Sequence, residues 1–325
     1  MVAGSGSQRG IVLIMVMWIL TIMIVIAFAF ASMARTEVFS TLAFKESVEN
    51  KFIAEGGIAR GIVELVYRDK HRSDALTEEI AESWKIDGTP HEVEVGKGLC
   101  RIRLVSESGK VDINAVSEIV LRNLITNLGI KGRDGEEPDA IVDAILDWKD
   151  GDDLVRLNGA EDAYYQSLPA PYAPKNANLE SVEELLLVKG VSPAVLYGNG
   201  EKKGLFDFVT VYSGSGQINA NAAPREVLMA VPGMTEDVAD SIISFRETRE
   251  IKTPQDLSEV LGGLASTMQA YLSYDAGTAF TIQAEGISPG KKAGHAIRAI
   301  VKNENNKYKY IYYKNPEEIR QWKEQ

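Results

Sequence analysis

The stretch IVLIMVMWILTIMIVIAFAFASMA, from Ile11 to Ala34, decides the architecture because it contains no charged side chain. As an α-helix rising about 1.5 Å per residue it would reach about 36 Å, and the hydrocarbon core of a bilayer is about 30 Å thick. The flanking charges are Arg9 before it and Arg35 followed by Glu37 after it. They favour a cytoplasmic N-terminus only weakly. The sequence therefore predicts one transmembrane helix over residues 11–34.

A removable secretory signal is the alternative for this stretch, since Ala27, Ala29 and Ala31 offer sites of the A-x-A type. The apolar run is, however, longer than the usual core of such a signal. Beyond it, apolar residues recur at helical spacing: Val38, Leu42, Val48, Phe52, Ile58, Ile62, Leu65 and Val66. We therefore expect one long helix that enters a soluble domain, with a kink near Gly56 or Gly57, because each glycine costs a helix about 1 kcal/mol relative to alanine.

The rest of the chain has the composition of a globular protein. The sequence has 325 residues, 45% of them hydrophobic and 25% charged, which is enough for more than one subdomain. The net charge of -11 and the absence of a long Lys/Arg run argue against broad nucleic-acid binding. Cys100 is the only cysteine, so no intramolecular disulfide can form, and its strand-like neighbours predict a buried structural thiol.

Two kinds of periodicity divide the soluble part. Strand-like alternation of apolar and polar residues occurs in five stretches: His91–Val95, Leu99–Val105, Phe280–Ala284, Ala296–Val301 and Tyr308–Tyr313. Helical patterns lie between these groups, at residues 117–129, 139–148, 181–188, 224–231 and 237–247. The prediction is an α+β fold in which residues 35–114 and 276–325 form a helix and antiparallel sheet, interrupted by a large all-α insertion over residues 115–275.

The N-terminal region resembles the type IV pilin class. The resemblance rests on the short leader ending Gln8-Arg9-Gly10 and on the apolar segment that becomes a half-exposed helix. It implies a fold of the type IV pilin kind, in which residues 1–10 are a leader that a prepilin peptidase cuts between Gly10 and Ile11, followed by methylation of the new N-terminus. Most members begin the mature chain with Phe and have Glu as the fifth residue, whereas this chain has Ile11 and Met15.

In lacking this glutamate, the chain resembles the minor pseudopilin of the K type in type II secretion systems. The two-part layout of the soluble part extends this resemblance over nearly the whole chain. A carboxylate in lipid is stable only when it is paired, and in these filaments its partner is thought to be the N-terminal amine of the subunit above. A subunit with nothing above it has no use for that charge. Met15 is thus an expected assembly residue.

This resemblance implies a non-enzymatic structural subunit at the tip of a periplasmic filament, anchored by a single pass in the inner membrane. The implied partners are the I- and J-type minor pseudopilins, the prepilin peptidase, the inner-membrane assembly platform and membrane lipid. A minor pilin of a type IV pilus remains an alternative, because both classes share the leader.

An acidic cluster is the sharpest chemical feature of the insertion. Asp139, Asp143 and Asp147 lie four residues apart on one helix face, where like charges disfavour the helix by a few tenths of a kcal/mol per pair. A calcium ion with six to eight oxygen ligands would relieve this repulsion, although the spacing is not that of an EF-hand and a solvated acidic face is the alternative. K-type pseudopilins carry a similar stretch and are associated with calcium. The resemblance therefore implies calcium, with these candidate ligands: Asp147, Asp150, Asp152, Asp153, Glu161 and Asp162.

A rival hypothesis comes from an internal echo between residues 109–121 and 216–228, each with an Asn-Ala step before a helix. We expect its asparagines to be helix caps or turn residues. After the second copy, residues 229–246 look like a helix-hairpin-helix, which suggests a membrane-tethered DNA receptor of the competence type. Glu236, Asp237 and Asp240 would repel phosphate, so we expect no nucleic acid as a partner.

Catalysis finds no support in the sequence. The three histidines, His71, His91 and His295, are scattered, and no H-E-x-x-H, G-x-S-x-G or P-loop motif is present. We expect a protein that is not an enzyme.

Overall fold

The computed structural model of the protein describes residues 7–71, 84–132, 135–200, 202–290 and 294–317. Residues 1–6 of the predicted leader and residues 318–325 of the predicted C-terminal segment lie outside this part of the chain. Within the described residues, a long helix covers one face of an antiparallel sheet, and a second, mainly helical unit is inserted between two strands of that sheet.

The elements are numbered in chain order. The strands are β1 (Asp87–Val95), β2 (Gly98–Ser106), β3 (Val111–Asp112), β4 (Val209–Thr210), β5 (Ile218–Asn219), β6 (Leu272–Ser273), β7 (Ala279–Ile287), β8 (His295–Glu304) and β9 (Lys307–Lys314). The α-helices are α1 (Ser7–His71), α2 (Glu118–Asn127), α3 (Pro138–Lys149), α4 (Asp162–Gln166), α5 (Pro193–Tyr197), α6 (Arg225–Leu228), α7 (Glu236–Thr248), α8 (Pro254–Leu261) and α9 (Ala265–Met268).

The main sheet confirms the predicted strands. Five of them pair antiparallel in the order β1-β2-β7-β8-β9, so strands from both sides of the insertion complete one sheet. The junction is the β2–β7 ladder, in which Leu99 faces Ile287 and Ser106 faces Phe280. The ends of the insertion are also tied together, because Ser106 Oγ donates to Ala276 O at 2.6 Å and Ser108 Oγ donates to Asp275 O at 3.1 Å.

The long helix α1 confirms the prediction of one continuous helix. It runs without interruption from the apolar stretch into the soluble domain, where Ala54, Ile58 and Leu65 are buried at the spacing of a single helix face. This face packs chiefly on β7, with β2 and β8 beside it. Its buried partners in the sheet include Ile102 and Ile282, and together they form the first hydrophobic core.

The insertion has a second core of its own, which includes Trp148, Tyr165 and Phe208. It departs from an all-α unit in two ways. The stretch expected to be a helix over residues 181–188 forms a 3₁₀-helix at Val182–Leu187, and β3–β4 and β5–β6 form two short parallel ladders. The core of the insertion already includes Val111, so the unit starts a few residues before the expected boundary at residue 115.

Asn219 is a turn residue as predicted, because its Oδ1 accepts from Asn221 N at 2.9 Å. The other two asparagines of the internal echo bind distant backbone instead of capping helices. Asn114 accepts from Leu179 N and donates to Leu179 O, both at 2.9 Å. Asn221 makes the same pair of bonds to Ile251, also at 2.9 Å. The two copies are therefore equivalent structural clamps, a role that depends on contacts 30 and 65 residues away along the chain.

A buried polar cluster joins the insertion to the sheet. Lys110 Nζ lies 2.7 Å from Glu107 Oε1, and both side chains are buried. Glu107 also accepts from Thr210 of the insertion and from Thr281 of β7. Burial opposes ionisation of Glu107, but Lys110 and these hydroxyls outweigh it and lower its pKa. The charged pair thus contributes to holding the two units in one arrangement.

The glycines where we expected a kink allow α1 to approach the sheet closely. A Cβ at Gly57 would overlap Cys100 Sγ and lie 2.9 Å from Ala284 Cβ. A Cβ at Gly56 would meet only Val95, at 2.8 Å. Cys100 is fully buried, and burial raises the pKa of its thiol to about 12, in agreement with the predicted structural role.

We predict that Gly57→Ala destabilises the full-length chain although alanine is the better helix former. Overpacking costs about 1–3 kcal/mol, and the gain in helix propensity offsets about 1 kcal/mol of it. The melting temperature in detergent should fall. Gly56→Ala is the matched control and should leave the melting temperature unchanged or slightly raised, because the methyl group of an edge-strand valine can move. A Gly57→Ala variant as stable as the wild type would show that the approach is not tight.

Candidate functional site

The predicted membrane segment is the fully exposed first part of α1. Every side chain from residue 11 to residue 34 is exposed, and the mean hydropathy of the most apolar window of α1 is 3.1. Within the described residues, α1 is the one helix long and apolar enough to cross a membrane. A helix that is apolar on all sides needs lipid or other helices around it. These properties fit a single-pass membrane anchor.

The predicted processing and assembly residues lie near the start of α1. Gly10 and Ile11 follow Ser7, the first residue of the helix, so the bond between them lies in helical backbone. Met15 is one turn further and is 61% exposed. An exposed side chain at this position can contact a neighbouring helix in the membrane, and it brings no charge into lipid.

The acidic face of α3 exists as predicted, but an arginine from the neighbouring helix already balances part of it. Arg122 of α2 pairs with Asp139, and its Nη2 lies 3.3 Å from Asp143 Oδ1. Arg122 also pairs with Glu118 of its own helix at 2.7 Å. The role of Arg122 could not be predicted from the sequence, because nothing in the spacing along the chain shows that α2 and α3 pack together.

A second arginine, Arg156, balances the end of α3. Its Nη1 lies 2.7 Å from Asp147 Oδ1 and 2.5 Å from Asp150 Oδ2. Asp147 is fully buried. The sequence offers one signal for this contact, because Arg156 is the only basic residue in the acidic loop of residues 150–162.

The loop after α3 wraps closely around Asp147. Asp147 Oδ2 accepts from Ala160 N at 2.9 Å and from Arg156 N at 3.2 Å. A Cβ at Gly159 would overlap the same oxygen, so this position requires glycine. Lys189 Nζ completes the enclosure by donating to Gly159 O at 3.0 Å. Asp147 is therefore the residue around which the loop is organised.

Glu161 is brought to this loop without a countercharge. It is 6% exposed, and neither of its carboxylate oxygens has a hydrogen-bond partner; Asp150 Oδ1 is likewise buried and unpaired. Burial, followed by the charges of Asp147, Asp150, Asp153 and Asp152, raises the pKa of Glu161 to about 7. Buried carboxylate oxygens without a hydrogen-bond partner are groups to which a hard cation such as calcium can bind.

The remaining predicted ligands are placed differently. Asp152 Oδ1 accepts from Leu154 N at 2.9 Å, and Asp162 Oδ1 accepts from Gln166 Nε2 at 3.2 Å. Asp152, Asp153 and Asp162 are all exposed. Across the described ranges, no group of three or more His, Cys, Asp or Glu side chains is gathered closely enough to hold a metal ion. The structure thus places Glu161 near the charges of Asp147 and Asp150 without gathering the three carboxylates into a metal-binding group, and Arg156 lies between Asp147 and Asp150.

The hairpin region of the rival hypothesis has an acidic helix start. Thr235 accepts from Val238 N at 3.4 Å and begins α7, whose first turn contains Glu236 and Asp237. Arg225 lies nearby, but its Nε is 3.0 Å from Asp240 Oδ1. Since carboxylates at a helix start repel a phosphate backbone, this geometry gives DNA binding no support.

Comparison with known proteins gives a consistent result. Family models described as "Type II secretion system (T2SS), protein K" match residues 102–198 and 218–275. Curated proteins called type II secretion system protein K are similar to parts of this chain that differ in length. The protein from Klebsiella pneumoniae is 29% identical over 200 residues, which is 58% of this chain and 60% of that protein. The protein from Aeromonas hydrophila is 51% identical over 53 residues, which is 16% of each chain.

A protein K from Pectobacterium carotovorum subsp. carotovorum is 38% identical over 72 residues, which is 22% of this chain and 21% of that protein. The matched segments thus span less than two thirds of these relatives' length. Among solved structures, a chain of the GspK-GspI-GspJ complex from the type 2 secretion system of enterotoxigenic Escherichia coli is similar, with a TM-score of 0.50. The match has 16% identity and covers 80% of this chain and 98% of that one, so it supports the fold. Taken with the exposed apolar helix and the insertion between β2 and β7, these findings show that the chain is similar to type II secretion system protein K over residues 102–198 and 218–275.

Proposed function

We propose that this chain is a minor pseudopilin that forms the tip of a periplasmic pseudopilus and supports protein export. The observation that carries the proposal is Met15, an exposed apolar residue at the fifth position after the expected cut. A pilin-like subunit without a carboxylate there has no charge with which to meet the amine of a subunit above it. It can therefore end a filament but not continue one.

The position of the insertion supports the same role. Arg68, close to the C-terminal end of α1, pairs with Glu250 of the insertion. The insertion therefore lies beside the end of α1 that is farthest from the membrane segment. A unit with its own core at that end would collide with a subunit stacked above it. The I- and J-type minor pseudopilins are the proposed partners, since the similar solved structure is a complex of three such proteins.

In this proposal residues 11–34 anchor the chain in the inner membrane, and the bulk of the chain lies in the periplasm. The prepilin peptidase and the inner-membrane assembly platform are the further proposed partners. The protein has a structural role in assembly and no catalytic one.

The tip role predicts a specific defect for Met15→Glu. The soluble domain should keep its melting temperature, because residue 15 lies far from both cores. Copurification with the I- and J-type pseudopilins and secretion should both fall at least several-fold, since an unpaired carboxylate in lipid costs about 3 kcal/mol. Met15→Leu, with the same membrane insertion, is the control. Normal secretion by a membrane-inserted Met15→Glu variant would contradict the tip role.

The proposed cut by a prepilin peptidase between Gly10 and Ile11 predicts the mass of the mature protein. Mass spectrometry of chain purified from the membrane of its own host should show a first residue of methylated Ile11. A first residue near Ser32 would instead indicate a removable signal. An intact Met1 would indicate an unprocessed anchor, and either result would contradict assignment to the pilin class.

We also propose that the acidic loop binds calcium. Arg156 neutralises Asp147 and Asp150 in part, but Glu161 is left without a partner. Glu161 and Asp150 would hold the ion first, with Asp147, Asp152 and Asp153 nearby. A bound ion would supply countercharge and fix the loop. Asp162 is turned towards Gln166 and would not need to take part.

Calcium should therefore stabilise the protein. At a calcium concentration 100 times the dissociation constant, the free energy of unfolding should rise by about 2.7 kcal/mol relative to chelator. Glu161→Gln should abolish the rise in melting temperature, whereas Asp162→Asn should keep it. Identical melting curves of the wild type with calcium and with chelator would contradict the proposal.

A further inference from the structure

The side chain of Arg156 lies where a cation bound to the acidic loop would lie. Its Nη1 atom is 2.7 Å from Asp147 Oδ1 and 2.5 Å from Asp150 Oδ2. Calcium binds carboxylate oxygens at about 2.3–2.6 Å, so an ion held by these two oxygens would need nearly the same place as this nitrogen. Arg156 and calcium therefore exclude each other between Asp147 and Asp150.

The carboxylates around Arg156 have binding capacity that the arginine leaves unused. Asp150 Oδ1 and both carboxylate oxygens of Glu161 are buried without a hydrogen-bond partner. Glu161 lies within electrostatic reach of Asp147 and Asp150. A guanidinium group carries one positive charge on a planar fork, whereas calcium carries two and takes six to eight oxygen ligands. Calcium could therefore satisfy oxygens that Arg156 does not reach.

The segment that carries Arg156 can move without disturbing the second core. Residues 152–155 are exposed, Leu157 is 96% exposed, and the Arg156 side chain itself is 36% exposed. Asp147 would keep a partner after the arginine left, because its Oδ2 accepts from Ala160 N at 2.9 Å. Withdrawal of the Arg156 side chain therefore breaks its ion pairs with Asp147 and Asp150 and leaves the wrapped loop attached.

We propose that Arg156 is an internal competitor of calcium, which holds Asp147 and Asp150 in the ion-free protein and is displaced when the ion binds. The inference rests on the calcium binding proposed above and assigns the regulation of that site to one side chain. It also accounts for the finding that, among the described residues, no three carboxylates are gathered into a metal-binding group. Glu161 can join the other two in binding one ion only after Arg156 has left.

The competition has two physical consequences. When calcium is scarce, Arg156 supplies the countercharge for Asp147, which is fully buried and would be costly to leave as an unpaired charge. When calcium is present, the apparent dissociation constant equals the intrinsic constant divided by the fraction of protein from which the arginine has withdrawn. An arginine in place for about nine-tenths of the time thus weakens calcium binding about tenfold.

Titration calorimetry of the full chain in detergent tests the competition. Arg156→Gln should bind calcium about tenfold more tightly than the wild type, because no arginine has to leave. The matched control is Arg122→Gln, which removes a cation from Asp143 on the same acidic helix. It should bind calcium nearly as the wild type does, since a charge outside the site acts through screening solvent. Equal tightening in both variants would overturn the proposal, because it would show a general effect of charge.

Melting curves distinguish a competitor from an arginine with a purely structural role. In chelator, Arg156→Gln should melt at a lower temperature than the wild type, because Asp147 loses its ion pair. In saturating calcium the two proteins should melt together, since the arginine of the wild type has then left the carboxylates as well. A variant that is less stable than the wild type by the same amount in both conditions would contradict displacement.

A second variant and a second route to the affinity cover the case in which Arg156→Gln does not fold in chelator. The variant is then purified in calcium, and its affinity is measured by competition with a chelator of known affinity. Arg156→Lys keeps a positive charge at the same place and should stay close to the wild type in calcium affinity. Binding by Arg156→Lys as tight as that by Arg156→Gln would show that the charge at residue 156 does not compete.

The outcomes separate this inference from the calcium proposal. If the wild type binds calcium and Arg156→Gln binds it no more tightly, the competitor is wrong and the calcium site stands. If Arg156→Gln binds calcium and the wild type does not, the competitor is supported and calcium binding by the wild type is wrong. If neither protein binds calcium, both proposals are wrong.

Discussion

The contact between α1 and the sheet is the interaction on which the rest of the structure depends. The helix is exposed and apolar through its first half and gains a sheet only in its second half, where Gly57 lets its backbone approach Cys100 and Ala284. A helix with bulkier residues there would stand further from the strands and would lose the dense packing that a core requires. The same helix therefore has one part suited to lipid and one part suited to a protein core. Its sequence changes from uniformly apolar to amphipathic where the second part begins.

In the insertion the main constraint is the balance of charge, not the close approach of a helix to a sheet. Two of its buried carboxylates, Asp143 and Asp147, are paired with Arg122 and Arg156. Glu161 is the exception, because the loop that wraps around Asp147 carries it into the same region without a cation from the chain. An unpaired carboxylate in such a position is costly, and the calcium ion proposed above would remove that cost.

The sequence predicted the parts of the structure that depend on local periodicity. The strands, the long helix and the buried thiol follow from alternation and helical spacing, since each pattern reports burial along one element. The predictions were less complete where a residue's role depends on a distant partner. Asn114 and Asn221 clamp remote backbone, Gly57 meets a strand, and Arg122 reaches a different helix.

Within the candidate site, the same limit applied. The spacing identified the acidic face but could not show which carboxylates are satisfied. The helical pattern at residues 181–188 corresponds to a 3₁₀-helix at Val182–Leu187, since a short amphipathic run does not distinguish an α-helix from a 3₁₀-helix.

The ties between Ser106 and Ala276 and between Ser108 and Asp275 have a consequence for how the chain folds. β2 and β7 pair across the whole insertion, and closing a disordered loop of roughly 170 residues costs about 3 kcal/mol more than closing one of about five. Once the insertion has packed its own core, its two ends lie side by side, and the loop that must be closed becomes short. Loop entropy therefore favours β2–β7 pairing after the insertion has packed, so that the insertion lowers the cost of forming the sheet that it interrupts.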